Sequence, residues 1–340
     1  MRKKIYSLKR TSDYQKAGSD DLIETIPVDG SHALFLPRIV LDTLTYAIVE
    51  DENIHVSGPT GVAKSDTIES FAYQPENFKR LCKALGCVHK PIKYFPVEMS
   101  TFESPAEVHF RRGFDDKGTF DEFSPIVKAL SEAQDLVDDY YCVIHCKEMG
   151  RTLSSTIQGS LLNLMSAGII ELRDGTRLSG KGIRWITDSN YQASEGEMVH
   201  TLSVQDDALK RRYPVNLTMN YLSLEEEIEI VDRITRKQKG KGTEHRELCI
   251  SAVKLGHRIR KEREEGNILS AVPPTIQGYI SFINYSRCFP YLEGEQVANV
   301  TLLGNICNAE KAQASSICNE VFGLADFEDE EVEETGGSTI

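Results

Sequence analysis

Residues Gly58 to Ser65 read GPTGVAKS. They match the phosphate-binding pattern G-x-x-x-x-G-K-[ST] except that Ala63 stands at the second glycine. In a working loop, Gly58, Pro59, Thr60, Gly61, Val62 and Ala63 would wrap an anion with backbone N–H groups. Lys64 would reach the β- and γ-phosphates, and the Ser65 hydroxyl would face Mg²⁺. The plainer reading is a chance glycine-rich turn. The cost of Ala63 depends on its backbone. At negative φ, as at a helix start, alanine costs little; at positive φ the strain is about 1 kcal/mol or more. One methyl at a helix start is expected to be tolerated.

Three further stretches follow in order. VIHCKEMGR, Val143 to Arg151, has the form of an apolar strand with a polar end. A phosphate-loop ATPase needs an Asp-Glu pair there, the aspartate for Mg²⁺ and the glutamate to orient the attacking water. Glu148 is present, but Lys147 stands at the aspartate position. That lysine either replaces part of the metal's charge or points away; a core strand leaving the sheet is the plainer alternative. RWITDSN ends in Asn190, whose amide could hydrogen-bond a γ-phosphate or a water; many strands end in Asn at a turn for other reasons. Arg211 and Arg212 precede a β-rich run. They read either as surface charges or as an arginine finger reaching a neighbouring subunit's site.

These residues need elements to hold them. NIHVS, Asn53 to Ser57, reads as a short strand, and the stretch from Asp66 onward has helical spacing. The glycine-rich loop therefore lies between strand and helix, where loop amides and a helix N-terminus face one anion. Ala33 to Glu50 reads as a helix-rich lead-in, and residues 1 to about 30 as polar and irregular. IKYFPV, YYCVIHC and GIRWIT read as further strands, the middle one a continuous apolar run of the buried parallel kind. FDDKGTFDEF and IIELRDGTRLS read as hairpins. Ser124-Pro125 reads as an N-cap with proline in the first helical turn. Strand–helix alternation implies an α/β class with a mainly parallel sheet. After about residue 218 the chain reads as helical. The expected organisation is an N-terminal segment 1–30, an α/β domain 31–218, a small all-α lid 219–325 and an acidic tail 326–340.

The bulk numbers exclude several classes. The chain has 340 residues, 40% hydrophobic and 27% charged. No apolar run approaches the roughly 18 residues needed to span a bilayer, so no membrane insertion is expected. MRKKIYSLKR lacks an apolar segment behind it and is no secretory signal. Eight cysteines without a C-x-x-C pair fit a reducing compartment, hence a cytoplasmic location. Net charge is −13 (39 basic against 52 acidic residues), which argues against nucleic acid as a partner. HRIRKEREE, His257 to Glu265, is locally basic but reads as a solvated helix face. The histidines show no metal-ligand spacing, and His145 reads as a core histidine.

Taken together, GPTGVAKS, VIHCKEMGR, LLNLMSAGIIELRDGTRL, WITDSN and ALKRRYPVNLTMNYLSLEEEIEIV resemble an AAA+ ATPase of the MoxR type. The resemblance covers roughly residues 30 to 325. It is nearest to the CbbQ/NorQ and cobaltochelatase small-subunit group of the dynein-related subfamily. It implies a P-loop NTPase core with a helical lid, ATP or ADP with Mg²⁺, and a hexameric ring. It also implies a client, often one with a von Willebrand A domain. Carried over, Gly58 to Ser65 would be the Walker A loop, Glu148 the Walker B glutamate, Asn190 sensor 1, and Arg212 with Arg211 the finger acting in trans. The sequence departs from that family at Ala63, at Lys147, and at Pro274, which stands where a sensor 2 arginine is expected. Binding and hydrolysis therefore separate. Loop amides and Lys64 suffice for binding, whereas Lys147 weighs against Mg²⁺ placement. Two readings result: an ATPase of low or partner-dependent activity that remodels a partner, or a hydrolysis-deficient scaffold or sensor stabilised by nucleotide.

Overall fold

The structure, a computed structural model, describes residues 3–116, 118–149, 155–165, 168–172, 174–190, 211–238, 243–270, 272–304 and 306–323. Arg151, residues 208–210, most of the basic run 237–242 and the acidic tail 326–340 lie outside them. The chain divides into two compact units, Met1–Asn220 and Tyr221–Ile340.

In the first unit, β1 (Ile5–Ser7), β2 (Leu22–Glu24) and β3 (Phe35–Pro37) form a small mixed sheet, with α1 (Thr11–Lys16) between the first two. The first thirty residues are thus more ordered than their composition suggests. Elements of three to six residues are too short to show a period, yet Leu8, Tyr14, Leu22 and Ile23 are fully buried. The main sheet is built from β4 (Ile54–Gly58), β5 (Ile92–Glu98), β8 (Tyr141–Lys147), β11 (Ile183–Asn190) and β12 (Val215–Thr218). All its pairs are parallel, in the order β12-β4-β11-β8-β5. The expected class holds: α/β with a parallel sheet, followed by a helical region.

Strand alternation sorts the two faces. On β8, Cys142, Ile144 and Cys146 enter a core shared with α5 (Pro125–Ala133) and α6 (Ser155–Leu164). Tyr141 and Val143 point the other way, into a core with α2 (Arg38–Val49), α3 (Lys64–Tyr73) and α4 (Pro75–Leu85). A strand buried on both faces must be apolar throughout, which explains the YYCVIHC run. Each fully buried aliphatic side chain contributes about 1.5–3 kcal/mol.

Both expected hairpins form. β6 (Phe110–Asp115) pairs with β7 (Gly118–Phe123), and β9 (Ile169–Glu171) pairs with β10 (Arg177–Ser179). The Ser124 hydroxyl accepts from the Val127 N–H and caps α5, as its Ser-Pro start predicts.

The second unit is helical in its described residues. It comprises α7 (Leu224–Gln238), α8 (Thr243–Glu264), α9 (Ile276–Cys288), α10 (Gly294–Thr301) and α11 (Lys311–Gly323). Val231, Val253, Phe282, Ile283 and Val297 form its core.

Candidate functional site

The sheet order decides where chemistry can gather. Strand β4 sits between β12 and β11, and the connections leaving β4 and β11 run in opposite directions across the sheet. Crevices at such switch points, beyond the strand C-termini, are where open α/β sheets hold ligands. The glycine-rich loop leaves β4 at that end.

Its glycines are there for geometric reasons. Gly58 has φ 154°, and a Cβ on it would lie 2.2 Å from the Met219 carbonyl oxygen, so a side chain is excluded. Gly61 has φ 85°. Ala63 lies in the left-handed region at φ 62°, ψ 34° and is the N-cap of α3. This corrects the expectation that its methyl meets a helix-like backbone: the second pattern position still requires positive φ, and alanine occupies it under strain.

Lys64 begins α3 and is 8% exposed. Its ammonium donates to the carbonyls of Gly58 (2.9 Å) and Pro59 (2.8 Å) and to Asn190 Oδ1 (3.1 Å). Burial lowers its pKa, and the nearby Asp188 and Glu148 carboxylates oppose that shift. Lys64 and Asn190 are thus brought together. Asn190 pairs with Gly58 across the β11–β4 ladder, which sets its side chain beside the loop.

Sequence reasoning missed the hub of the site, Asp188. It lies on β11 two residues before Asn190, hence on the same face, and is 2% exposed. The Ser65 hydroxyl donates to its Oδ2. His145 Nε2 lies 3.1 Å from the same oxygen, and the Glu148 N–H donates to Oδ1 at 2.6 Å. On its other side, His145 Nδ1 lies 2.7 Å from the Tyr94 hydroxyl. Burial would raise the Asp188 pKa. The His145 hydrogen bond and charge, the Ser65 hydroxyl and the Glu148 amide outweigh it and bring the carboxyl down to about 2. The signal was an acid two residues before Asn190 in IRWITDSN, on the same strand face as that candidate. His145 is indeed fully buried, but its partners tie it to the loop.

Lys147 is held in ion pairs. It pairs with Glu69 of α3 (2.9 Å) and Glu98 at the end of β5 (3.2 Å). Burial lowers its pKa, but the two carboxylates reverse this and raise it. Glu148 follows at φ 54°, a left-handed turn that ends β8 and aims its amide at Asp188. Arg211 and Arg212 are not part of this cluster. Both are exposed, just before β12, and the Arg212 carbonyl accepts from Asn53 Nδ2 at the start of β4. That is the opposite end of β4, about 13 Å along the strand from Gly58.

In the second unit, HRIRKEREE is only partly a solvated face. Arg260 is 6% exposed and donates to both Glu227 carboxylate oxygens (2.9 and 3.0 Å). Its Nε donates to the Pro274 carbonyl at 3.0 Å, so an arginine touches the segment where one was expected, but from α8. Asp232, His245 and Cys249 have possible ligand atoms within 4.8 Å of one another, a spacing sequence reasoning overlooked. The cluster is nevertheless engaged by neighbouring cations, although the buried Asp232 Oδ1 makes no hydrogen bond. Arg287 donates to His245 Nδ1 (2.8 Å), His245 Nε2 faces Asp232 (3.2 Å), and Arg236 reaches the same Asp232 oxygen (2.8 Å). Burial pushes the Cys249 thiol up to about 11. A protonated thiol beside two guanidinium groups is a poor cation site.

No protein-family model matches the chain, and no curated protein does. Among solved structures, a mutant form of RuvB from Thermotoga maritima aligns with 86% of this chain and 70% of its own, at 12% identity and a TM-score of 0.42. At that identity and score the likeness carries no weight on chemistry or assembly. No helix among the described residues is long and apolar enough to cross a membrane.

Proposed function

We propose that this chain binds ATP or ADP at the Gly58–Ser65 loop as an AAA+ protein of the MoxR type. In this reading it assembles into a hexameric ring and remodels a partner protein, with low or partner-dependent hydrolysis. The observation that carries the reading is the convergence of Lys64, Ser65 and Asn190 on a loop at the C-terminal end of β4, at the switch point of the sheet. A buried ammonium held on loop carbonyls is a counter-charge ready to be handed to phosphate oxygens. Mg²⁺ accompanies the nucleotide in this reading and neutralises phosphate charge; Ser65 is the hydroxyl at the loop that would face it. Glu148, at the end of β8, orients the attacking water.

Arg211 and Arg212 lie on the far side of β4 from the loop of their own subunit. Their exposure there supports a role in a neighbouring subunit's site, and hence a ring. The client, of the von Willebrand A or another kind, and the cytoplasmic setting belong to the same proposal. The charge of −13 argues against nucleic acid as the client. A second reading, a scaffold or sensor that binds nucleotide without cleaving it, is favoured by one observation: position 147 brings no carboxylate to the loop.

ATP turnover and nucleotide affinity, measured together on the full chain, test these readings. Lys64→Ala should weaken binding about 10- to 100-fold, the value of a charge-assisted contact. Binding indifferent to that change would sink both readings. Turnover abolished by Glu148→Gln supports the ATPase. Binding without turnover in either protein, with the native partner present, leaves the scaffold.

A further inference from the structure

We propose that Asp188 on β11 supplies the metal-handling carboxylate of this loop, in place of the β8 position that Lys147 occupies. The inference rests on the nucleotide-binding reading above and names the group that would hold the divalent cation.

Three observations lead there. First, the Ser65 hydroxyl and the Asp188 carboxylate are in direct hydrogen-bond contact at the start of α3. Two hard oxygen donors at one point are the set that Mg²⁺ takes, one or two protein oxygens with phosphate and water completing the shell. Second, the carboxylate is fixed in orientation. His145 Nε2 holds Oδ2 and the Glu148 N–H holds Oδ1. Such outer partners are what keep a ligating carboxylate aimed. His145 is in turn held by the Tyr94 hydroxyl, so the support reaches back to β5. Third, the lysine that would repel a cation is engaged elsewhere, with Glu69 and Glu98.

Topology explains why the exchange is geometrically open. β11 lies between β4 and β8, so it is closer to the loop strand than β8 is. Asp188 pairs with Val56 of β4, two residues short of Gly58. A carboxylate there reaches Ser65 directly from β11, while β8 supplies the groups that hold it. An acid missing from one strand end is therefore present on the adjacent strand, facing the same hydroxyl.

The test is a titration of mant-ADP onto the full chain, once with Mg²⁺ and once with EDTA, using wild type, Asp188→Asn and Lys147→Ala. Mn²⁺ bound together with ADP is counted in parallel by its EPR signal. Mg²⁺ should tighten binding to wild type and to Lys147→Ala. In Asp188→Asn that gain should fall by about tenfold or more, as should bound Mn²⁺, while affinity in EDTA changes less than about threefold. A metal gain kept in Asp188→Asn overturns the proposal, as does a wild type that binds ADP equally well without metal. The latter leaves the nucleotide reading standing; a wild type that binds no nucleotide ends both. If Asp188→Asn does not fold, Ser65→Ala must show the same selective loss, and an unchanged metal gain there overturns the assignment.

Discussion

Ala63→Gly should stabilise the first unit, an unusual outcome for placing glycine at the edge of a helix. Ala63 sits at φ 62°, ψ 34° immediately before Lys64. The left-handed region costs an L-residue about 1–2 kcal/mol, through the approach of Cβ to the following carbonyl. Glycine removes that cost but returns about 0.4–1 kcal/mol through the greater freedom of its unfolded chain. The net gain is about 0.5–1 kcal/mol. For a unit spanning Met1–Asn220 this corresponds to a rise in Tm of about 1–3 °C. The chain has a single tryptophan, Trp185, which is 1% exposed in the core beside the sheet. Its fluorescence during heating therefore reports this unit. Ala63→Val is the opposing control, since a β-branched residue tolerates positive φ least, and its Tm should fall. If Ala63→Gly leaves Tm unchanged or lowers it, while Ala63→Val matches wild type, the strain does not exist and the reasoning fails.

Two further outcomes follow from buried charges. His55, on β4 with Thr187 and Ser189 hydroxyls at its ring nitrogens, has its pKa lowered to about 4 by burial, against a smaller opposing pull from Asp188. A folded-state value below the unfolded 6.5 means stability is fully present above pH 6.5 and is lost as pH falls toward 4. Urea melts followed at Trp185 should lose about 1 kcal/mol between pH 7 and 5.5, and His55→Gln should flatten that slope. In the second unit, Arg260→Met should cost about 3–5 kcal/mol, because Glu227 is 2% exposed and would lose its bidentate partner. Arg260→Met combined with Glu227→Leu should recover much of that loss in melts followed by circular dichroism; a purely additive double mutant would mean the pair is not coupled.

Much of the architecture was legible along the chain because it depends on neighbours. The apolar run of β8, the Ser124 cap, the glycine turns of both hairpins and the strand–loop–helix setting of GPTGVAKS are local patterns, and each appears where it was read. Lys64 and Asn190 were identified as candidates from residue type and position alone, and their contact is in the structure. The short elements before residue 30 were not legible, since three residues carry no period. What only the tertiary structure decided is the electrostatic wiring of the loop. Ser65 and Asp188 lie 123 residues apart and meet because β11 lies between β4 and β8. Lys147 is paired because Glu69 and Glu98, from two other elements, stand beside it. Ala63 is held at positive φ between a glycine pressed against the Met219 carbonyl and the first turn of α3. Residue types and spacing determined which groups this protein has for holding phosphate. Sheet order determined which carboxylate stands next to them, because a through-space contact is set by which strands are neighbours and not by their distance along the chain.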